Sequence, residues 1–277
     1  MTASSLTGRD LATTIRAAAA ARAAELTVAG RQPRLAVVTA TDDEASAAYV
    51  RTIANAAGKE GIACDLLRTT TAAGVSATLA QLADDPEVHG VMLQTPLPDG
   101  ALLADLARAI PANKDVDGAS PESLGRVTAG LPGFAPATAE AVLALLDYYQ
   151  VELRGRHAVV VGRSVVVGKP VAHLLLDRHA TVTIAHSRTA DLAAITRQAD
   201  VLVVAAGRAG LVGPRHVSPG TTVIDVGTNV TDGGLAGDVD PAVAEVAAAL
   251  SPVPGGAGPV TTALLLRHVV EAAVAVG

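Results

Sequence analysis

The chain has 277 residues, half of them hydrophobic, with one phenylalanine, three tyrosines, no tryptophan and a formal net charge of −6. That length fits about two domains, and so apolar a chain fills a core without disulfides or metals. The acidic balance and scarce aromatic rings exclude a nucleic-acid partner, because phosphate backbones attract basic faces and bases stack on rings; the lone Cys64 excludes an internal disulfide and fits a cytoplasmic setting.

Leu11 to Leu26 reads as a helix and Arg34 to Ala40 as a buried strand. Asp43 to Lys59 has helical composition and stops at Gly61. Ile62 to Arg68 is a second strand, Val75 to Ala83 a helix, His89 to Gln94 a third strand, and Ala101 to Ile110 a helix. Strands alternating with helices imply a parallel sheet with right-handed crossovers. Pro111 to Pro136 is rich in Gly, Pro and Ser and reads as a loose stretch before a connecting helix, Thr138 to Tyr149. No apolar leader opens the chain, and the alanine-rich run from Ala17 to Ala24 is broken by Arg22, so no membrane partner is expected.

The second half starts with the strand His157 to Val161, then a glycine turn from Gly162 to Pro170 and a helix from Val171 to Arg178. Thr181 to Ala185, Asp200 to Gly207 and Thr222 to Gly227 follow as strands, each ending on a Gly or a polar residue where a loop turns close to a ligand. Strand, glycine turn and helix together aim helix N–H groups at a pyrophosphate. The spacing, Gly162 to Gly168, departs from the usual Gly-x-Gly-x-x-Gly, and a plain strand-to-helix turn is the competing explanation. The next strand ends in His186-Ser187-Arg188-Thr189 where an NAD site would carry an acid. A hydroxyl and a cation, with Arg163 across from them, suit a 2′-phosphate, so NADP is favoured over NAD.

Longer motifs then carry a resemblance. Leu93-Gln-Thr-Pro-Leu-Pro98, Lys114-Asp-Val-Asp-Gly118, Val161 to Pro170, Ala180 to Thr189, Ile224-Asp-Val-Gly-Thr-Asn229, Gly237-Asp-Val-Asp240 and Pro252 to Thr261 resemble the bifunctional methylenetetrahydrofolate dehydrogenase/cyclohydrolase family, FolD. The resemblance implies an α/β fold of two domains around a cleft, usually dimeric. Residues 1–137 with the C-terminal helix 261–277 would form the substrate domain, and residues 138–260 a Rossmann-type NAD(P)-binding domain. It implies oxidation of methylenetetrahydrofolate to the methenyl form with NADP, followed in many members by hydrolysis to 10-formyltetrahydrofolate. It further implies coenzyme contacts from Gly162, Arg163, Ser164, Val167, Gly168, His186, Ser187, Arg188, Thr189, Ala206, Gly207, Gly227, Thr228 and Asn229. Asp117 would hold the pterin edge, Gln94 would orient the reacting region, Tyr49 would border the substrate, and Pro254, Gly255 and Gly256 would bring backbone close to it.

One departure stands out. The family pattern Tyr-Val-x-x-Lys is here Tyr49-Val50-Arg51-Thr52-Ile53, so isoleucine occupies the place of the active-site lysine. At ~100° per residue, Arg51 and Lys59 lie ~200° and ~240° around the helix, and neither shares the face of Ile53. Hydrolysis needs a proton moved at the bridge, which an isoleucine cannot do, whereas oxidation mainly needs positioning. The family's Phe-His-Pro is Ala119-Ser120-Pro121 here, and Ala137 replaces a cysteine, so the cleft wall is expected to be altered. These changes keep open a dehydrogenase of another small substrate or a non-catalytic NADP-binding paralogue. No metal site is expected, because the seven histidines are scattered without ligand spacing.

Overall fold

The computed structural model describes residues 2–41, 43–98 and 100–276. In chain order its elements are β1 (Ser4–Ser5), α1 (Arg9–Val28), β2 (Arg34–Thr39), α2 (Glu44–Lys59), β3 (Ala63–Arg68), α3 (Ala72–Asp84), β4 (Gly90–Leu93), α4 (Leu103–Ala107), α5 (Pro121–Thr128) and α6 (Ala137–Tyr148). There follow β5 (His157–Val161), α7 (Gly168–Asp177), β6 (Thr181–Ala185), α8 (Leu192–Thr196), β7 (Val201–Val204), β8 (Thr222–Asp225), β9 (Asn229–Thr231), β10 (Gly234–Ala236), β11 (Ala249–Leu250) and α9 (Ala257–Ala275). No helix among the described residues is long and apolar enough to cross a membrane.

The chain divides into two compact units. One comprises Thr13–Ala137 and the segment from Thr262 onward; the other comprises the segment up to Ala12 and Thr138–Thr261. The short N-terminal segment thus groups with the second half, because β1 pairs with β11 (Ser4 with Ala249, Ser5 with Leu250).

The first unit holds a parallel sheet of order β3-β2-β4. Successive side chains of β2 point to opposite faces. Leu35 and Val37 join Ala23 and Leu26 of α1, Ile53 and Ala57 of α2, and Leu265 and Val269 of α9 in one core. Ala36 and Val38 join Val75 and Leu79 of α3 in the other. The second unit holds a six-stranded parallel sheet of order β6-β5-β7-β8-β11-β1. Here Ala158 and Val160 face α6 and α7, while Val159 and Val161 pack with Leu202, Val204 and Val223. With almost no rings to place, small aliphatic side chains fill both cores and let helices sit close on the sheets.

Several expectations need correction. The stretch from Pro111 to Pro136 is not all loop: Ser120 caps α5, its hydroxyl accepting from Ser123 N, and Pro121 takes the first helical position. The helix expected over 101–110 shrinks to Leu103–Ala107, which has no side-chain cap. The helix after the glycine turn begins at Gly168 rather than Val171. The strands expected to reach Gly207 and Gly227 stop at Val204 and Asp225, where the loops begin.

Candidate functional site

In the six-stranded sheet the neighbouring strands β5 and β7 connect to opposite sides, β5 to β6 and β7 to β8, and such divergence opens a crevice at the carboxyl ends of the strands. In the second unit the crevice lies at the ends of β5 and β7. The chain leaves β5 at Gly162, whose φ of +130° favours glycine. A Cβ there would collide with the carbonyl oxygen of Ala205, in the loop after β7. A Cβ on Gly168 would collide with the carbonyl of Gly162. The two glycines therefore pack loop on loop and helix on loop. Between them, the Ser164 hydroxyl accepts from the N–H groups of Val167 at 3.2 Å and Gly168 at 3.3 Å, tying down the start of α7.

The loop after β6 closes on itself. His186 N donates to Thr189 Oγ1 at 2.9 Å, and Arg188 N donates to His186 Nδ1 at 3.1 Å, which fixes the imidazole hydrogen on Nε2 when the ring is neutral. Ser187 and Arg188 are left exposed. Arg163, at the end of β5, is exposed as well. Neither guanidinium makes a hydrogen bond or an ion pair among the described residues. Both guanidinium groups belong to the loops that follow the adjacent parallel strands β5 and β6.

The loop after β7 is built around a carboxylate. Buried Asp238 accepts from Ala206 N at 2.6 Å, Gly207 N at 2.9 Å and Arg208 N at 2.7 Å, and from Asn229 Nδ2 at 2.8 Å. The N–H groups of Ala206 and Gly207 are thus occupied, and only carbonyls remain for a ligand. Behind Asp238 lies Asp225, which accepts from the backbone N–H groups of Gly227, Asp238 and Val239. Burial pushes its carboxyl up to about 6 in spite of these donors, and the charge of Asp238 adds to the rise. Gly227 is buried against Asp238, whereas Thr228 is exposed. Gly255 has φ +109°, and its carbonyl receives Gly8 N at 2.8 Å; Gly256 N bonds Pro252 O at 2.8 Å, and Pro254 is exposed.

In the first unit the candidate residues are side chains, carried by α2, by the loop after β4 and by the Lys114–Gly118 turn. Tyr49 and Ile53 sit four residues apart on α2 and so share a face. Tyr49 is 36% exposed, while Ile53 is fully buried in the core with Val50 and Ala57. Arg51 and Lys59 are exposed on other faces of the helix. Gln94 follows β4, and its Nε2 donates to Thr95 O at 2.7 Å. The same carbonyl accepts from Ser46 Oγ at 3.1 Å, which ties the first turn of the Tyr49 helix to the Gln94 loop.

The Lys114–Gly118 turn sorts its charges. Buried Lys114 donates through Nζ to the carbonyls of Leu82, Ala83 and Asp85, capping the end of α3. Asp115 accepts from Ala119 N at 3.1 Å and Ser120 N at 2.8 Å, which orients the entry to α5. Asp117 is the charged group left over: its carboxyl has no hydrogen-bond partner among the described residues. Burial first, and the neighbouring Asp115 second, push it up to about 7, with His268 pulling the other way. Burial and Asp117 together raise the Tyr49 phenol well above its ordinary range.

Sequence reasoning missed three of these residues. His268 belongs to no recognisable spacing, Asp238 entered only as part of the motif Gly237-Asp-Val-Asp240 with no role of its own, and the capping task of Lys114 depends on a helix about thirty residues away in the chain. The expected alteration of the cleft wall needs correction, for Ala119, Ser120 and Ala137 are all buried at 4% exposure or less. They serve turn and core packing: Ser120 caps α5, and Ala137 packs in the first unit's core. Cys64 is packed and its thiol is pushed up to about 11, as fits an inert residue. No cluster of metal-ligating side chains occurs among the described residues.

Comparison with known proteins adds independent support. Residues 6–117 match the family described as tetrahydrofolate dehydrogenase/cyclohydrolase, catalytic domain, and residues 136–276 match its NAD(P)-binding domain. The chain is similar to the bifunctional protein FolD 1 of Saccharopolyspora erythraea, with 60% identity over 273 residues, covering 97% of this chain and 93% of that protein. Among solved structures it is similar to the bifunctional FolD enzyme of Campylobacter jejuni (37% identity, TM-score 0.93, 98% of each chain). It is also similar to the Trypanosoma brucei methylenetetrahydrofolate dehydrogenase-cyclohydrolase complexed with NADP cofactor and inhibitor (33% identity, TM-score 0.93, 99% of this chain and 98% of that one).

Proposed function

The chain belongs to the tetrahydrofolate dehydrogenase/cyclohydrolase family, and from that premise we propose that it oxidises 5,10-methylenetetrahydrofolate to 5,10-methenyltetrahydrofolate with NADP and hydrolyses the methenyl product slowly or not at all. The observation that carries this reading is the pairing on one unit of a partnerless acid, Asp117, with a fully buried isoleucine one helical turn from Tyr49.

When bound, NADP supplies the two-electron acceptor. Arg163 and Arg188 would hold its 2′-phosphate, and the Gly162–Gly168 loop would take the pyrophosphate. Asp117 would accept two N–H donors from the pterin edge, a task that requires its ionised form. Gln94, whose amide nitrogen is held on Thr95, would present its Oε1 to the substrate. Tyr49 would border the folate with a phenol that stays protonated. Oxidation asks these groups only to hold the reacting carbon in place. Hydrolysis further asks for a group that moves a proton at the bridge, and Ile53, taken to stand at the family's lysine position, has none. The Campylobacter jejuni and Trypanosoma brucei enzymes carry both activities in their names, so the separation of the two is the point at issue.

Initial rates of NADP reduction with methylenetetrahydrofolate test the oxidation, and parallel runs with NAD test the coenzyme choice; equal efficiency with NAD would remove the role given to Arg188. Ile53→Lys tests the hydrolysis. It places an ammonium at a fully buried position, so a loss of about 2 kcal/mol or more of stability is expected alongside the return of methenyl hydrolysis. A folded Ile53→Lys protein that still fails to hydrolyse would shift the cause away from this position. Assembly as a homodimer is part of the same proposal, checked by light scattering on the purified protein.

A further inference from the structure

The turn that carries Asp117 is anchored at four places. Lys114 grips the end of α3, and Asp115 grips the start of α5. Gly118, with φ +60°, lies so close to the backbone of Ala135 and Pro136 that a Cβ would stand 2.5 Å from them. The fourth anchor comes from α9. His268 is 1% exposed, and its Nδ1 bonds the Val116 carbonyl at 2.8 Å across 152 residues of sequence. A carbonyl only accepts, so it is Nδ1 that carries the hydrogen of this bond. The imidazole lies against Phe134, with centroids 4.9 Å apart and planes tilted by 31°. Phe134 is the sole phenylalanine of the chain.

An aliphatic residue would fill this space on α9 without the desolvation cost of a buried ring nitrogen. What the imidazole adds is a directed bond to the peptide that leads into Asp117. It also sets a polar ring within electrostatic reach of that carboxyl, opposing the effect of burial. We propose that His268 is a positioning residue for Asp117, holding the Val116–Asp117 peptide so that the carboxyl meets the pterin edge with both oxygens. The proposal rests on the assignment of Asp117 as pterin anchor. His268 itself touches no substrate; it acts through the bond to Val116 and through the ring wedged on Phe134.

Steady-state kinetics on full-length His268→Asn, His268→Gln and His268→Leu proteins test it, with a thermal melt for each. Asparagine keeps an N–H where Nδ1 lies, and its KM for methylenetetrahydrofolate should stay within about two-fold of the unchanged protein. Leucine removes the donor and should raise that KM about tenfold, leaving the KM for NADP unchanged. If the leucine protein does not fold, the glutamine protein decides, because its amide lies one bond too far out and should also raise the folate KM. Equal folate KM in all variants, or a rise shared with NADP, would overturn the proposal. Asp117→Asn runs beside them. An unchanged folate KM there would refute the anchor assignment, whereas loss of folate there without any effect of His268→Leu refutes only the role of His268.

Discussion

Each unit holds three consecutive strands in the same order, β3-β2-β4 in one and β6-β5-β7 in the other, yet the ends of these strands are furnished with different materials. Beside β5 the site is made of backbone: glycines that let loops touch, a serine that ties a helix end, and an aspartate that consumes the N–H groups of Ala206, Gly207 and Arg208. The side chains of Arg163 and Arg188 project from it with no hydrogen-bond or ion-pair partner among the described residues. Beside β2 the candidate residues are side chains, Tyr49, Gln94 and Asp117, while Lys114 and Asp115 are engaged in holding the end of α3 and the start of α5. A backbone-built site tolerates little change, because each glycine is sterically dictated. A side-chain-built site can lose one function by a single exchange while its frame stays whole, and under the proposed function Ile53, fully buried in the core, is that kind of exchange.

Perturbing each site should therefore leave the other intact. The largest effect is expected from Asp117→Asn. Losing a charged acceptor for two N–H donors should lower kcat/KM for the folate about a hundredfold, while the Kd of NADP, measured by calorimetry, should not move. Next comes pH. Burial raises Asp117 to about 7, so the accepting carboxylate is depleted as pH falls below that value. The kcat/KM for folate should then drop about tenfold per pH unit on the acid side and level off above pH about 8; a flat profile would remove Asp117 from the binding step. Smaller still, Arg188→Ala should raise the KM for NADP about tenfold and leave that for NAD unaltered. Smallest is Ser164→Ala, which frees two N–H groups at the start of α7 and should cost about 1 kcal/mol in a denaturant melt, with the folate KM untouched.

Much of this was legible before any coordinates. The strands His157–Val161 and Thr181–Ala185 coincide with their sequence-based bounds, because a valine run between Arg156 and Gly162, and the run Thr181-Val-Thr-Ile184, are rich in β-branched residues. The helical angle that set Arg51 and Lys59 apart from Ile53 is reproduced by their exposure against its burial. What stayed hidden depends on distant partners. The two-residue strand at Ser4–Ser5 exists only because β11 lies beside it. α5 did leave a local mark, the run Ser120-Pro121-Glu122, which composition alone disguised as loop. In the site, three charges fall within Lys114–Asp117, and nothing in their order tells which is spent on α3, which on α5 and which is left over. His268 lies 152 residues from its partner and carries no spacing signal at all.

The most direct measurement follows the absorbance of the methenyl product while the unmodified protein turns over methylenetetrahydrofolate and NADP. Methenyltetrahydrofolate is expected to build up in step with the reduced coenzyme and then to decay no faster than it does without protein. Absence of NADP reduction, or disappearance of the methenyl compound as fast as it forms, would contradict the division of labour between Asp117 and Ile53.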